Sequence, residues 1–136
     1  MKLYLDTSIW RDYYENRADK FRPLGEWAFA LLKKAVDEDI GIMYSDFVLE
    51  ELRKSYSDGE IEKIFGIIDN TILFKASISN KQAEEAAKIC KERKVAFGDA
   101  LHAVIAKDNE AILVTRDRHF EELRDVVDVR KPEELI

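Results

Sequence analysis

Apolar positions follow two alternating rhythms along this chain. Lys2–Leu5 is a short run of strand formers, cut off by Asp6-Thr7-Ser8, and Thr7 or Ser8 can N-cap a helix through about Arg17. Trp27, Leu31 and Leu32 recur with Ala28 and Ala35 at helical spacing, which predicts a helix over Leu24–Val36. Ile40–Tyr44 reads as a second strand, with Ser45 capping the helix that follows. Two capping boxes, Ser57-Asp-Gly-Glu60 and Ser79-Asn-Lys-Gln82, open helices over Ile61–Asp69 and to about Lys91, with a third strand at Thr71–Lys75 between them. Gly98 precedes a helix from Asp99 to Lys107, and Ala111–Val114 is a strand made only of apolar residues. Asp117 can cap a short helix to Leu123, and Val126–Val129 closes the pattern as a last strand.

Short, continuously apolar strands alternating with helices are the mark of a parallel sheet covered on both faces. The expected fold class is therefore α/β, a three-layer α/β/α sandwich with a mainly parallel central sheet, formed by one domain over residues 1–136. Ligands of such sheets gather at the carboxyl ends of the strands. Asp6 lies immediately beyond the first strand and Asp117 just beyond Ala111–Val114, so both are expected on one rim.

Two more acids lie beside apolar runs. On a helix from Asp46, Glu51 shares a face with Val48, Leu52 and Ser55, whereas Glu50 faces Asp46 and Lys54 as a solvent-type pair. Asp99 heads a helix whose Ala103 and Ala106 share its face and would let a neighbour approach closely. Each acid has an ordinary alternative role: Asp6 and Asp117 as helix caps, Asp99 as a first-turn acid favoured by the helix dipole. Thr7 and Ser8 are already capable caps, which leaves Asp6 spare. Four acids tethered to buried elements and brought together would repel one another, and a divalent cation held by oxygen ligands is the simplest relief. That chemistry points to a metal-dependent phosphodiesterase.

Composition narrows the partners. The net charge of −6 argues against a large electrostatic footprint for nucleic acid, an objection that weakens if several acids are metal ligands. Basic residues cluster at Arg11, Arg17, Lys20 and Arg22, at Lys91, Arg93 and Lys94, and at Arg116 and Arg118. The first and last groups supply candidate phosphate contacts in Arg11, Arg17, Arg116 and Arg118; the Lys91 group reads as a solvated helix face. No apolar run reaches the ~20 residues of a membrane span, and the start of the chain has no signal-peptide layout, so a cytoplasmic protein is expected. Cys90 is the lone cysteine and reads as a core thiol. His102 reads as a structural side chain and His119 as exposed. Trp10, Tyr13 and Tyr14, with Trp27 and Phe29 nearby, read as core plus a subunit interface in preference to base-stacking residues.

Leu5-Asp6-Thr7-Ser8, Val48-Leu-Glu-Glu51-Leu52, Gly98-Asp99-Ala-Leu-His-Ala103 and Val114-Thr115-Arg-Asp117-Arg-His-Phe120, in this order and spacing, make the chain resemble the PIN domain, in particular compact VapC-type toxins and their archaeal relatives. The resemblance spans almost the whole chain. It implies an Mg²⁺- or Mn²⁺-dependent ribonuclease, with Asp6, Glu51, Asp99 and Asp117 as metal-binding catalytic acids and Thr7, Ser8 and Thr115 as supporting hydroxyls. It also implies an RNA substrate, an antitoxin protein as partner and a homodimer. The doubled Glu50-Glu51 departs mildly from the pattern, and Glu15–Glu26 is where specificity carries over least. An alternative is a catalytically inactive PIN-like module that binds RNA or protein. An aspartyl-phosphate enzyme of the haloacid dehalogenase kind would need an Asp where Ser8 stands, a receiver-like domain would need an acidic pair before the first strand, and nucleotide binding lacks a Gly-rich loop.

Overall fold

The computed structural model describes residues 1–136. In chain order the elements are β1 (Lys2–Leu5), α1 (Thr7–Glu15), α2 (Leu24–Asp37), β2 (Gly41–Ser45), α3 (Asp46–Arg53), α4 (Asp58–Gly66), β3 (Leu73–Ala76), α5 (Asn80–Arg93), α6 (Phe97–Asp108), β4 (Ile112–Val114) and β5 (Val129–Arg130). Two 3₁₀ helices, Arg118–Leu123 and Pro132–Glu134, flank β5. The five strands form one parallel sheet in the order β3-β2-β1-β4-β5. It is the expected α/β/α sandwich.

The order has a mechanical consequence. From β1 the chain steps outward through β2 to β3, then crosses back to β4 and continues to β5 on the other side. Right-handed crossovers put the helices of the two halves on opposite faces. Trp10 of α1 accordingly packs edge-on against Phe65 of α4, while α5 and α6 pack on each other. The reversal puts the switch-point crevice, the position at which open α/β sheets bind ligands, at the carboxyl ends of β1 and β4.

The core runs through the strands and α6. Leu3, Tyr4, Leu5, Ile42, Leu113 and Val114 are buried, and every residue of α6 from Ala100 to Ala106 is buried. An all-round apolar helix is an interior helix, and α6 is apolar apart from its two ends and His102. Its start lies close to α3: a Cβ on Gly98 would sit 3.0 Å from the Phe47 ring, so glycine permits that approach. No helix is long and apolar enough to cross a membrane.

Several expectations shift. Helix α1 stops at Glu15 because Asn16 adopts a left-handed conformation there. Helix α6 begins at Phe97 and takes Gly98 into its first turn, with Ala96 as N-cap. The α4 capping box holds, but the helix spans 58–66. The final strand is Val129–Arg130, not Val126–Val129, because β4 pairs Leu113 with Val129 and Val114 with Arg130. Cys90 is half-buried rather than a core thiol. Trp10 is wholly buried and contributes to no surface; among the neighbouring aromatics Phe29, 46% exposed, is the one that faces outward.

Candidate functional site

Asp6 occupies the N-cap position of α1, yet its side chain caps nothing. Its backbone N–H donates to the Val114 carbonyl at 2.9 Å, which extends the β1–β4 pairing into the crevice. Its Oδ2 accepts from the Ser8 hydroxyl at 2.8 Å and the Thr115 hydroxyl at 2.9 Å. The Thr7 hydroxyl donates to Glu51 Oε1 at 2.7 Å. Thr7 and Ser8, able to cap a helix and given by the resemblance as supporting hydroxyls, donate here to carboxylates.

Glu51 reaches the rim from α3, while Glu50 is exposed and forms no ion pair with Lys54. Glu51 Oε1 also lies 2.8 Å from His102 Nε2. A carboxylate only accepts, so Nε2 donates. His102 Nδ1 lies 2.8 Å from the Tyr4 hydroxyl, which lies 2.7 Å from the Ser45 hydroxyl, which in turn accepts from the Val48 N–H at 3.4 Å. With the ring neutral, Ser45 donates to Tyr4, Tyr4 to Nδ1, and Nε2–H to Glu51, leaving every member satisfied. His102 is 1% exposed, so an imidazole here without partners would be costly. Burial pushes the Tyr4 phenol above its ordinary range, which keeps its proton available to this chain of bonds.

The other acids are held differently. Asp117 follows β4; its Oδ1 accepts the His119 backbone N–H at 2.9 Å and lies 3.1 Å from His119 Nδ1. Asp99 stands in the first turn of α6, and neither of its oxygens accepts a hydrogen bond. Two groups of ligand atoms result, Asp6–Glu51–His102 and Asp99–Asp117–His119, each with its atoms within 4.8 Å of one another. The groups feel each other. Burial raises the Asp99 pKa above the usual carboxylate range, and the charges of Asp117 and then Asp6 raise it further. Burial also pushes Glu51 upward, but the hydrogen bond from His102, the charge that ring carries when protonated, the Thr7 hydroxyl and nearby Arg11 outweigh it, so its pKa is lowered.

These contacts leave a pattern suited to a hard cation. Asp6, Glu51 and Asp117 each anchor one carboxylate oxygen through hydrogen bonds and leave the other without a donor. Asp99 leaves both free and is destabilised by its neighbours' charge. Oxygen donors and concentrated negative charge match what a hard divalent cation binds.

The four arginines named as phosphate contacts diverge. Arg11 donates to the Glu51 carbonyl at 3.2 Å and to Ser55. Arg17 pairs with Glu15 and approaches Asp12. Arg116 is nearly buried: it donates twice to Glu133 at 2.7 and 2.9 Å, lies 3.8 Å from Asp12 and sits over the Trp27 ring. Its guanidinium is engaged by the protein. Arg118 is exposed and makes no ion pair. His102, read from the sequence as a structural side chain, is buried and hydrogen-bonds Glu51 and Tyr4, as that reading expects. One further residue escaped the sequence reading. Asp12 is a buried acid whose pKa burial raises, against the pull of Arg116 and Arg17; it follows Asp6 by six residues on α1 and carried no signal.

No curated protein matches the chain at the sequence level. Solved structures do match it in fold. VapBC2 from Rickettsia felis, bound to a promoter DNA fragment, superposes with a TM-score of 0.71 at 19% identity, over 96% of this chain and 98% of that one. DNA-bound VapBC from Salmonella typhimurium gives 0.70 at 19%, over 97% and 98%. FitAcB from Neisseria gonorrhoeae gives 0.63 at 21%, over 98% and 99%. A family model for the PIN domain matches residues 3–126, which takes in all four acids and the strands that carry them. With the sheet order, the switch-point crevice and that match in agreement, the chain belongs to the PIN domain family.

Proposed function

We propose that this chain is a divalent-metal-dependent endoribonuclease acting in the cytoplasm as the toxin of a toxin–antitoxin pair. The observation that carries the reading is the division of labour within each carboxylate: one oxygen of Asp6, Glu51 and Asp117 is anchored, the other free, beside an Asp99 with nothing to accept. Asp6, Glu51, Asp99 and Asp117 would hold Mg²⁺ or Mn²⁺. The bound ion supplies Lewis acidity, a water of lowered pKa and a template for in-line displacement at an RNA phosphodiester.

The protein's own groups have distinct parts. Ser8 and Thr115 fix the rotamer of Asp6 and aim Oδ1 at the crevice. Thr7 and His102 do the same for Glu51, and Tyr4 and Ser45 fix the His102 ring. Asp99 and Asp117 complete the acidic wall. Arg118 is the one of the four arginines left free to meet a phosphate. The fold shared with VapBC and FitAB complexes supports an antitoxin as partner, and a second copy of the chain belongs to the same reading.

The test is cleavage of labelled RNA and DNA oligonucleotides by the purified chain. Cleavage of RNA with Mn²⁺ or Mg²⁺ and its loss in chelator are expected. Asp6→Asn should lower the rate by about 10³-fold, the equivalent of losing several kcal/mol of metal-assisted stabilisation. Cleavage that survives chelation, or that Asp6→Asn leaves intact, would sink the proposal.

A further inference from the structure

Beside the acids opens a cavity of about 450 Å³, walled by the ends of β4 and β5, the Arg118–Leu123 3₁₀ helix and Arg22 from the α1–α2 loop. Its wall carries six cations, Arg22, Arg116, Arg118, Arg124, Arg130 and Lys131, against two acids, Asp117 and Glu121. In a chain of net charge −6 this is a marked local reversal. Four of the six have protein partners: Arg22 pairs with Asp19, Arg116 with Glu133, Arg124 with Glu121, and Arg130 with Asp128. Three of those pairs are solvent-exposed, the kind worth ~0–1 kcal/mol, so an incoming phosphate can compete for them. Arg118 and Lys131 are exposed and have no ion-pair partner at all.

Position gives the cavity its meaning. It shares Thr115 and Asp117 with the acidic site, and Thr115 is the residue that donates to Asp6. Both sites lie on the carboxyl rim of the sheet. From Asp6 beyond β1, across β4, to Lys131 beyond β5 is two strand spacings, about 10 Å. A helical strand rises ~3.4 Å per nucleotide, so a polynucleotide seated at the acids would carry its neighbouring phosphates over this cavity. Val129 is the single apolar residue in the wall, so no platform for base stacking is present and contact would be with the backbone.

We infer that this cavity holds the backbone phosphates flanking the bond seated at the acids, with Arg118 and Lys131 as its free contacts. The inference rests on the ribonuclease reading for the identity of the polymer. It assigns Lys131 a substrate-positioning role, and it explains how an acidic protein retains an anionic substrate: the acids face the metal, while the β5 side of the rim faces the chain.

The experiment separates this site from the chemistry. Binding of an end-labelled single-stranded RNA to the full chain is followed by fluorescence anisotropy in chelator, across a salt series, for the wild type and for Arg118→Ala/Lys131→Ala. Each phosphate contact contributes ~0.7 to the slope of log K against log salt. The double variant is expected to lose about 1.4 from that slope and roughly tenfold in affinity at low salt. Arg118→Lys/Lys131→Arg should restore both, and Lys91→Ala on α5 should change neither. With metal present, KM should rise more for the long RNA than for a dinucleotide, because a dinucleotide does not reach Lys131 beyond β5. Equal slopes and affinities for wild type and double variant overturn the inference. So does binding of an acidic peptide that the double variant loses while RNA binding is unmoved, or inorganic phosphate competing as strongly as RNA at matched ionic strength. Loss of slope in the double variant, when the wild-type chain itself never cleaves with Mn²⁺, supports the cavity and refutes only the nuclease reading.

Discussion

The two halves of the acidic site are built on opposite terms. Around Asp6 and Glu51 every anchoring oxygen meets a hydroxyl or an imidazole, and the result is a lowered pKa for Glu51 despite burial. Around Asp99 and Asp117 the contacts are sparse: one backbone N–H, one exposed histidine and a raised Asp99 pKa. The first half is rigid before anything binds. The second half is a concentration of charge that only sparse contacts answer. A site divided in this way fixes where a cation sits through the first half and draws its affinity from the second, since relief of repulsion is gained only on binding.

The sharpest way to break the contrast is to remove the support from the first half. His102→Ala leaves Glu51 without its buried donor and should weaken Mn²⁺ binding about 10–100-fold, the usual cost of losing a group that orients a ligand. Calorimetric titration measures this directly, and His102→Asn, which keeps a donor, should recover part of it. Unchanged affinity in the alanine variant would mean that the anchored half is not the part that positions the ion.

The second half should respond in the opposite sense. Asp99 has a folded-state pKa above its unfolded value, so its contribution to stability is fully present below the ordinary carboxylate pKa of about 4 and is lost as pH rises through the raised value. In metal-free protein at neutral pH, Asp99→Asn should therefore raise the melting temperature, by roughly 2–4 °C. The gain should shrink toward pH ~4, where the wild-type carboxyl is itself protonated. Glu51 runs the other way: its stabilisation is present above the ordinary carboxylate pKa and lost as pH falls through the lowered one. Glu51→Gln should lower the melting temperature at neutral pH. Scanning calorimetry of the two variants at both pH values tests the pair, and shifts of the same sign would erase the distinction between the halves.

The smallest effect belongs to Glu50. Exposed and unpaired, it should tolerate Glu50→Gln with stability changed by less than ~0.5 kcal/mol and Mn²⁺ affinity unaltered. A loss comparable to that of Glu51→Gln would show that the two neighbouring glutamates had been told apart wrongly.

Local rules carried the reading of the sequence a long way and failed where partners are distant. Strand–helix alternation, the capping boxes at Ser57 and Ser79 and the Ser45 cap are written in neighbouring residues, and they appear in the structure. The face of Glu51 followed from helical periodicity alone. Local rules offer Thr7 and Ser8 only as caps, and their role as supporting hydroxyls comes from the resemblance; which oxygen a hydroxyl meets is decided by how α1, α3 and β4 converge. Arg116 looked available because Glu133, seventeen residues on, shows no sequence relation to it. The last strand was misplaced by three residues because three valines between 126 and 129 are equally good strand formers; pairing with β4 settles the register. His102 illustrates the limit best. Its helix and neighbours were legible, but its bonds to Tyr4 and Glu51 depend on the whole sheet.

Those bonds carry a consequence for biosynthesis. Tyr4 and His102 lie 98 residues apart, and Thr115 reaches back 109 residues to Asp6. A ribosome-bound chain can form β1 and α1 early, at ~5–20 residues per second of elongation, yet it has no oriented Asp6 until β4 and Thr115 have emerged and docked beside β1. Contacts of such span also form late in folding. The rim is thus assembled last, and whatever chemistry it performs is withheld from a nascent chain until β4 and Thr115 have been made.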